Sequence, residues 1–544
     1  MPSADETHTL FLASSFDPLT TPGLYGYCFH ESDLIVGSEG YAEFAKRRRL
    51  SIPPGMDGSY IVTNAIDGTT EIGTDYCGYQ TLFYYQNNSA WALSNSFLAL
   101  GRFLKAKGFK LTLDEGHLSS WFLGGAFGKQ LTSLHTCIKE VRLLPATMRI
   151  IVDHGGLRTE RAPFVQSLDE EDISYDHALR RYIQVWVSRM RTLFRSGIEI
   201  HSDLTGGRDS RTNLGLLLAA SRSLDSDLPE TVIFRSGLSA EADLGIATNL
   251  AALYGLRLNE PFRRCPARIT ARQTYERWKV FNLGIYGPVY LNYSEYDSRL
   301  ISIGGTGGES HRAFYGPADP EQFLERRRMQ FHSRTLFDDF KGDVLNDLNS
   351  LRIGLDASLH PMIVHYRHFR DRCHGGRSSR YVFKCSPLAS AFLRKASSLC
   401  PANRMLDGQV LVDLLQNLDP MLLGVPFDSC KKTPSWQQFQ SVPHLGEAAA
   451  AADDDGRMFT GETERAATAE QPFMNRSAIE MLCDDFIRHK PLATSSGFFP
   501  KNYIEEAAAF VFKAAETGDF GHAIDAIRAV HVILAGEAMR LTDS

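Results

Sequence analysis

The sequence lacks the features that mark several classes of protein. Its longest apolar runs, such as the segment from Leu214 to Ala220, are far too short to span a bilayer. The formal net charge is -6 and the sequence pI is near 6.3, so the basic footprint of a nucleic-acid or membrane-surface protein is missing. We therefore expect neither nucleic acid nor a membrane among the partners.

Two further absences concern cysteine pairs and a leader segment. The 9 cysteines run from Cys28 to Cys483 without a C-x-x-C pair, which argues against a disulfide framework or a zinc ribbon. The stretch from Met1 to Glu6 carries acidic residues where a secretory signal carries Lys or Arg, and no apolar core follows. The expectation is a cytoplasmic protein with reduced thiols.

The N-terminal third of the 544 residues is predicted to be β-rich. Within residues 1–165, aromatic and β-branched runs alternate with turn signals such as Asp67-Gly68, a hairpin dipeptide. The pattern indicates an antiparallel α+β domain. The predicted elements are strands over 59–64, 69–75, 81–86 and 90–94 and a helix over 97–107.

Residues 166–544 have a different pattern, in which strands alternate with helices before a mainly helical C-terminal part. This alternation is typical of an α/β domain with a parallel sheet. Residues 445–471 combine an alanine run, three consecutive aspartates and few large apolar residues, so we predict a mobile loop, with a lid over substrate as the alternative. The predicted elements are helices over 175–194, 211–221 and 241–254 and strands over 197–204, 231–234 and 300–303.

The strongest chemical signal is the segment Leu204-Thr-Gly-Gly-Arg-Asp-Ser210, where a predicted strand leads into a predicted helix. A helix N-terminus exposes unpaired N–H groups, and glycines let the backbone wrap around an anion. Asp209 would repel a bare phosphate, so an acid in this loop indicates a Mg²⁺ ion between them. The alternative is a glycine turn that Asp209 caps. The loop is neither a Walker-type loop nor a dinucleotide fingerprint.

This loop resembles the S-G-G-x-D-S signature of the PP-loop ATP pyrophosphatase enzymes, with Thr205 in place of the first serine. In that superfamily the loop holds the departing pyrophosphate while AMP is transferred to a carboxylate or carbonyl oxygen. The resemblance implies ATP and Mg²⁺ as cofactors. It assigns the ATP-binding loop to Leu204, Thr205, Gly206, Gly207, Asp209 and Ser210.

Three other parts of the chain resemble the asparagine synthetase-like branch of that superfamily. Segments between Asp57 and Ser94 follow the order of a class II glutamine amidotransferase domain, which implies an Ntn-type fold for residues 1–165. Residues 303–316, with Gly305, Thr306 and Gly307, resemble the second ATP-site loop. The third part comprises Ser386-Pro387-Leu388, Arg404, Pro420 and Pro426-Phe427, which resemble the helical C-terminal region.

The departures from this family concern the source of nitrogen. An active glutaminase of this class needs Cys as residue 2, but Pro2 stands there and no cysteine precedes Cys28. We therefore expect no glutaminase activity. Thr306 stands where asparagine synthetases carry Glu and β-lactam synthetases Tyr, so the amine must lose its proton to another group. The candidates are Glu309, His311 and the substrate itself; Glu309 also keeps a carboxylate for Mg²⁺.

The remaining candidate residues follow from the same resemblance. Lys431 or Lys432 matches the location of the lysine that stabilises the developing pyrophosphate, and a solvated basic pair is the alternative. Phe234 and Arg235, at the end of a predicted strand, should lie beside the adenine. The stretch 365–374 contains histidines at metal-like spacing, but its arginines disfavour a metal ion and could instead steer an acidic or phosphate-bearing group.

The expected function is an ATP-dependent ligase that adenylates a carboxylate so that an amine forms an amide. Its partners would be a carboxylate substrate and an amine acceptor, either two molecules or one peptide that carries both groups, as in lasso-peptide cyclases. One alternative is amidation of a small acid or sugar acid with ammonia. A second is a non-catalytic regulator that binds ATP.

Overall fold

The computed structural model of the protein describes residues 10–17, 21–66, 68–154, 156–261, 268–446, 456–461, 475–500, 502–518 and 526–543. The strands are β1 (Leu12–Ser14), β2 (Gly23–His30), β3 (Asp33–Val36), β4 (Gly58–Ile66), β5 (Thr69–Thr74), β6 (Phe83–Gln86), β7 (Trp91–Ser94), β8 (Arg142–Leu143), β9 (Met148–Asp153), β10 (Gly156–Arg161), β11 (Glu199–Asp203), β12 (Val232–Arg235), β13 (Leu300–Ile303), β14 (Lys384–Cys385) and β15 (Met458–Phe459). The helices are α1 (Gly37–Arg48), α2 (Phe97–Ala106), α3 (Glu115–Ser120), α4 (Pro163–Glu170), α5 (Tyr175–Ser196), α6 (Arg208–Arg222), α7 (Glu241–Tyr254), α8 (Ala271–Asn282), α9 (Pro320–Glu325), α10 (Arg334–Leu351), α11 (Pro361–His365), α12 (Arg372–Ser379), α13 (Ala391–Leu399), α14 (Ala402–Leu406), α15 (Gln409–Leu418), α16 (Met421–Gly424), α17 (Trp436–Gln440), α18 (Asn475–Ser496), α19 (Tyr503–Thr517) and α20 (Ile527–Thr542).

The N-terminal region is built on two stacked sheets between helices, and their strand pairs are antiparallel except for the pair of β15 with β3. A 4-stranded sheet has the order β1-β7-β6-β8, and a 7-stranded sheet the order β10-β9-β5-β4-β2-β3-β15. Side chains alternate between the two faces of a strand, so Ile61 and Leu93 share the core between the sheets. On the outer faces, Phe44 of α1 packs against the larger sheet and Phe97 of α2 against the smaller one. The layers are therefore helix, sheet, sheet and helix.

The second region is built on a parallel sheet with the order β12-β11-β13-β14. From β11 the chain leads through α6 to β12 on one side, and it later returns to β13 on the other side. The connections therefore diverge between β11 and β13. In open α/β sheets such a switch point leaves a crevice at the carboxyl ends of the strands, where ligands bind. Both glycine-rich loops leave the sheet at this edge.

The predicted mixed α/β class is confirmed, with antiparallel N-terminal sheets, a parallel sheet and a helical C-terminal part. The bounds predicted for α7 and β13 are those observed. Helix α6 begins at Arg208, before the predicted Arg211, because the extended Gly207 already serves as its N-cap. The hairpin of β4 and β5 is present, although Asp67 of its turn signal lies outside the described residues.

Residues 456–461 correct part of the predicted mobile loop. Met458 and Phe459 form β15, which pairs in parallel with β3, and Phe459 is buried. The rest of the predicted loop, 447–455 and 462–471, lies outside the described residues. The predicted boundary between residues 165 and 166 falls within α4 and stays a prediction. In the described part of the chain, no helix combines the length and hydropathy that a membrane span requires.

Candidate functional site

The first glycine-rich loop turns tightly from β11 into α6 and is shaped by its own hydroxyl groups. The N–H of Thr205 donates to Ser210 Oγ at 3.1 Å, and the two hydroxyl oxygens lie 3.1 Å apart. A Cβ atom on Gly206 would lie 2.5 Å from Cβ of Asp428, so only glycine fits there. The first N–H groups of an α-helix have no acceptor within the helix, and those of α6 lie at this turn. The loop therefore has the form of an anion cradle.

The second glycine-rich loop, residues 304–309, contacts the first loop directly. A Cβ atom on Gly308 would collide with the carboxylate of Asp209, and one on Gly305 would lie 2.9 Å from Asp209 Cβ. Gly307 has a φ of 96°, which favours glycine, and a Cβ there would lie 2.5 Å from the backbone nitrogen of Ala389. The structure thus brings together two loops that the sequence predicted separately, and Asp209 lies where they meet.

Where the two loops meet, the charged side chains differ in how well they are paired. Arg312 donates from Nε to Glu309 Oε2 at 2.6 Å, and its Nη2 lies 3.7 Å from Asp209 Oδ2. Asp209 Oδ1 is buried and has no hydrogen-bond partner among the described residues. Burial raises the pKa of Asp209 to about 6; Arg312 opposes this shift and Glu309 adds to it. The carboxylate therefore keeps one free oxygen in a poorly solvated position.

The structure distinguishes between the two candidate lysines. Lys432 donates from Nζ to Asp428 Oδ2 at 2.6 Å, and this Nζ lies 3.8 Å from the Cβ position built on Gly207. The carbonyl of Lys432 accepts from Arg208 Nε at 2.8 Å, which fixes this segment against α6. Lys431 is exposed. Lys432 is therefore the lysine that faces the first loop.

His311 does not lie where a base is needed. The ring is buried, its Nδ1 contacts Ser397 Oγ, and its Nε2 lies 2.9 Å from the carbonyl oxygen of Leu388. Burial lowers the pKa of His311 well below its ordinary value, and Arg367 adds to this effect. Both ring nitrogens are occupied in the core, so the prediction of His311 as the proton acceptor is not supported by its position.

The strand end predicted to face adenine has few free backbone groups. The N–H of Phe234 donates to the carbonyl of Arg257 at 2.8 Å, and its own carbonyl accepts from Asn259 at 2.8 Å. The carbonyl of Arg235 accepts from the N–H of Leu204 at 2.7 Å. These bonds hold β12 beside the first loop, and they leave the adenine contact at Phe234 and Arg235 as a prediction only.

Thr306 packs against the N-terminal region. A Cβ atom on Gly375 would lie 2.7 Å from Thr306 Cγ2 and 2.5 Å from a ring carbon of Tyr79. The Tyr79 hydroxyl donates to Asp371 Oδ1 at 3.4 Å. Thr306 therefore occupies a narrow position between the second loop, α12 and Tyr79. Burial raises the pKa of Tyr79 well above its ordinary value, so neither side chain is a base.

A basic group that was not among the predicted site residues lies at the same edge of the sheet. The Nζ of Lys384 lies 3.3 Å, and Oδ2 of Asp203 3.1 Å, from the Cβ position built on Gly304. Burial lowers the pKa of Lys384, with Asp203 opposing and Arg377 adding to the shift. The Arg377 guanidinium also lies 5.4 Å from the ring centroid of Tyr290. No motif marks these residues; the sequence signal that could have found them is that Asp203 lies near the end of a predicted strand.

The donor set at the loops fits a magnesium ion. Mg²⁺ prefers oxygen ligands, and the loops offer the carboxylates of Asp209 and Glu309 and the hydroxyls of Thr205 and Ser210. The unpartnered Oδ1 of Asp209 is the observation that favours a cation there. In this structure the guanidinium of Arg312 supplies positive charge beside the carboxylates of Asp209 and Glu309.

The histidines of the 365–374 stretch have separate partners. His365 Nε2 lies 2.9 Å from the carbonyl oxygen of Thr132, whereas His368 Nε2 lies 2.8 Å from Asp356 Oδ2. Both rings are buried. Their metal-like spacing therefore reflects two different packing contacts.

Comparisons with known proteins give little guidance. No family model matches the sequence, and no curated protein matches it. Among solved structures it is similar to the allosteric regulatory enzyme of purine biosynthesis, with 9% identity, a TM-score of 0.13, and coverage of 50% of this chain and 45% of that one. It is also similar to glutamine phosphoribosylpyrophosphate amidotransferase from B. subtilis, with 11% identity, a TM-score of 0.14, and coverage of 59% and 61%. The chain spans about half the length of these structures, and such low TM-scores carry no argument about fold or function.

Proposed function

We propose that the protein is an ATP-dependent ligase that transfers AMP to a substrate carboxylate and lets an amine form the amide. One observation carries the proposal: two glycine-rich loops leave adjacent parallel strands and meet at Asp209. Ligand sites in parallel sheets lie at this edge. The first of these loops resembles the PP-loop signature, and the second resembles the second ATP-site loop of asparagine synthetases.

The roles of the residues follow from their positions. The first-turn N–H groups of α6 would hold the phosphate oxygens, and Lys432 would stabilise the charge that develops on the departing pyrophosphate. Asp209 and Glu309 would hold Mg²⁺, which neutralises phosphate charge. A substrate carboxylate oxygen attacks the α-phosphorus, and the bond to the β-phosphate oxygen breaks. The amine then attacks the acyl carbon, AMP leaves, and the amine loses one proton.

Two side chains near the loops are unsuitable as the acceptor of that proton. Thr306 is not basic at neutral pH and His311 is enclosed in the core. Glu309 is half-buried at the second loop, where its partner is Arg312. We infer that Glu309 or a group of the substrate accepts the proton.

We infer further that the N-terminal region is an Ntn-type, amidotransferase-like domain that acts as a packing partner. Asp57, part of the segment that resembles that family, is buried and directs both oxygens at the second region. Its Oδ2 accepts from Arg189 Nη1 at 2.5 Å and from Ser390 Oγ at 2.7 Å, and its Oδ1 accepts from the N–H of Ala391 at 2.6 Å. These hydrogen bonds give the Asp57 carboxylate a structural role that does not depend on glutamine hydrolysis.

The basic group beside the second loop supports an acidic substrate. Lys384 and Arg377 place positive charge at the carboxyl ends of β13 and β14, next to the proposed adenylation site. Asp203 is the acid that acts on Lys384, and no ion pair within 4.0 Å joins the two in the described part of the chain. A carboxylate would be attracted to this position. The acceptor amine remains open between a group on the same peptide, a second molecule and ammonia.

A regulator that binds ATP without catalysis is the second candidate, and Arg312 is the observation that favours it. Its guanidinium lies beside both Asp209 and Glu309, so one of their two negative charges is already balanced without a metal ion. A ligase would have to release Arg312 when MgATP binds, whereas a regulator need not.

Exchange of labelled pyrophosphate into ATP, measured with a panel of carboxylic acids and peptides, separates the two candidates. We expect exchange with at least one acid. Gly308→Ala should abolish it, since the added Cβ collides with Asp209, while Gly342→Ala, which meets nothing within 4 Å, should preserve it. If the protein binds ATP and no acid supports exchange, the ligase proposal fails.

A further inference from the structure

Four side chains with metal-binding atoms lie together where α3 and α10 pack, and none belongs to either glycine-rich loop. They are Asp114, His117, His135 and Asp343, and one ligand atom from each lies within 4.8 Å of the others. Two come from α3 and its N-cap, one from the segment before β8, and one from α10. The cluster therefore joins the N-terminal region to a helix of the second region.

The local structure orients these side chains toward one point. Asp114 is the N-cap of α3, and its Oδ1 accepts from the N–H of His117 at 2.9 Å, which leaves the second oxygen for another partner. The rings of His117 and His135 are stacked, with centroids 5.0 Å apart and planes 6° apart. His117 Nε2 lies 3.1 Å from Asp343 Oδ2, and His135 Nε2 lies 3.7 Å from Asp343 Oδ1. Both imidazoles thus face the same carboxylate.

The charges around this point leave room for a divalent cation. Arg142 approaches His135 Nε2 at 2.7 Å and reaches Asp347 Oδ1 at 3.3 Å with its other nitrogen. With neutral imidazoles, Asp114, Asp343 and Asp347 carry three negative charges and Arg142, which reaches Asp347, carries one positive charge, so two negative charges remain unbalanced within this group. An ion of charge +2 would balance them. Arg142 would then keep Asp347 as its partner.

We propose that Asp114, His117, His135 and Asp343 form a structural site for a divalent transition metal of the zinc type. Two imidazole nitrogens and two carboxylate oxygens are a donor set that suits Zn²⁺ in tetrahedral geometry, and nitrogen donors disfavour Mg²⁺ and Ca²⁺. Four protein ligands leave no open position, which is typical of structural rather than catalytic zinc sites. The ion would fasten α10 to α3. This site is independent of the proposed adenylation.

The test uses the full-length protein without a histidine tag, in a Cys430→Ser background because Cys430 is the exposed thiol among the described cysteines. After chelation and dialysis, zinc is titrated by calorimetry and thermal unfolding is followed. We expect one tight equivalent and a higher melting temperature. His135→Gln and Asp343→Asn, at side chains that are 22% and 36% exposed, should each weaken binding at least about 100-fold. His444→Gln, an exposed histidine, is the matched control.

A further variant separates a metal site from a simple ion pair. Arg142→Gln removes the guanidinium that competes for His135, so zinc should bind about tenfold more tightly. Absence of a zinc equivalent in the parent protein, or an equivalent that survives both His135→Gln and Asp343→Asn, overturns the proposal. It is also overturned if Arg142→Gln binds zinc more weakly than the parent.

Discussion

Asp209 and Asp356 are two enclosed carboxylates beside arginines. They differ in their hydrogen-bond partners and in the direction in which their pKa is shifted. Asp356 accepts from Arg367 Nη1 at 2.9 Å and faces His368 Nε2 at 2.8 Å. Although burial alone would raise it, these partners hold the pKa of Asp356 well below its ordinary value. Among the described residues, Asp209 forms its ion pair with Arg312, 3.7 Å away, and burial raises its pKa to about 6.

The difference separates the part of the molecule that supports the loops from the part that we propose binds ATP. Arg367 also donates from Nε to the carbonyl of Ser310 at 3.1 Å, directly behind the second loop. Ser310 Oγ in turn donates to Asp371 Oδ2 at 2.9 Å. This hydrogen-bonded network thus fixes the second loop from behind, while the carboxylate in front of it keeps an unpaired oxygen.

The largest effect on stability is expected at the network. Arg367→Met leaves the Asp356 charge buried without its arginine, and breaking one side of a buried pair costs about 3–5 kcal/mol. Arg312→Met, at the loops, should change the free energy of unfolding by less than about 1 kcal/mol, because Arg312 and its partners are partly exposed. Urea unfolding of both variants measures the contrast. Equal losses of unfolding free energy in the two variants would contradict the difference between the network behind the second loop and the loops themselves.

A smaller effect, on catalysis, distinguishes the two neighbouring lysines. Lys432→Gln should slow pyrophosphate exchange by about 10–100-fold, since it removes a positive charge from the first loop. Lys431→Gln, its exposed neighbour, should leave the rate unchanged. Exchange rates at saturating ATP give the comparison. The assignment of Lys432 fails if the Lys431 variant is the slower one.

The smallest expected effect is a change in stability with pH at Asp209. Its folded pKa of about 6 lies above the ordinary value of 3.8, so the native state favours the protonated acid. Stability therefore falls as pH rises from about 4 through 6. Asp209→Asn lacks this loss of stability and should be more stable than the parent at pH 7, by no more than about 3 kcal/mol. The gain should vanish near pH 4; a loss of stability at pH 7 would contradict the account.

The sequence predicts local features better than contacts between distant residues. The predicted bounds of α7 and β13 are those observed, and a glycine directly follows each element, Gly255 after α7 and Gly304 after β13. His311 was misjudged because its enclosure depends on Ser397 and Leu388, far along the chain. Lys431 and Lys432 carry the same local signal and differ only in which one faces the loop. The proposed metal site brings Asp114 and Asp343 together, and no local sequence pattern reveals that these two residues lie close to each other.

Equilibrium binding of ATP, with and without Mg²⁺, tests the central claim most directly, because it requires no knowledge of the substrate. If the two loops form one MgATP site at Asp209, Mg²⁺ should tighten ATP binding to the parent protein at least about tenfold. The gain should disappear in Asp209→Asn and persist in Gly342→Ala. An absence of ATP binding, or an equal magnesium effect in the parent protein and Asp209→Asn, would contradict the account.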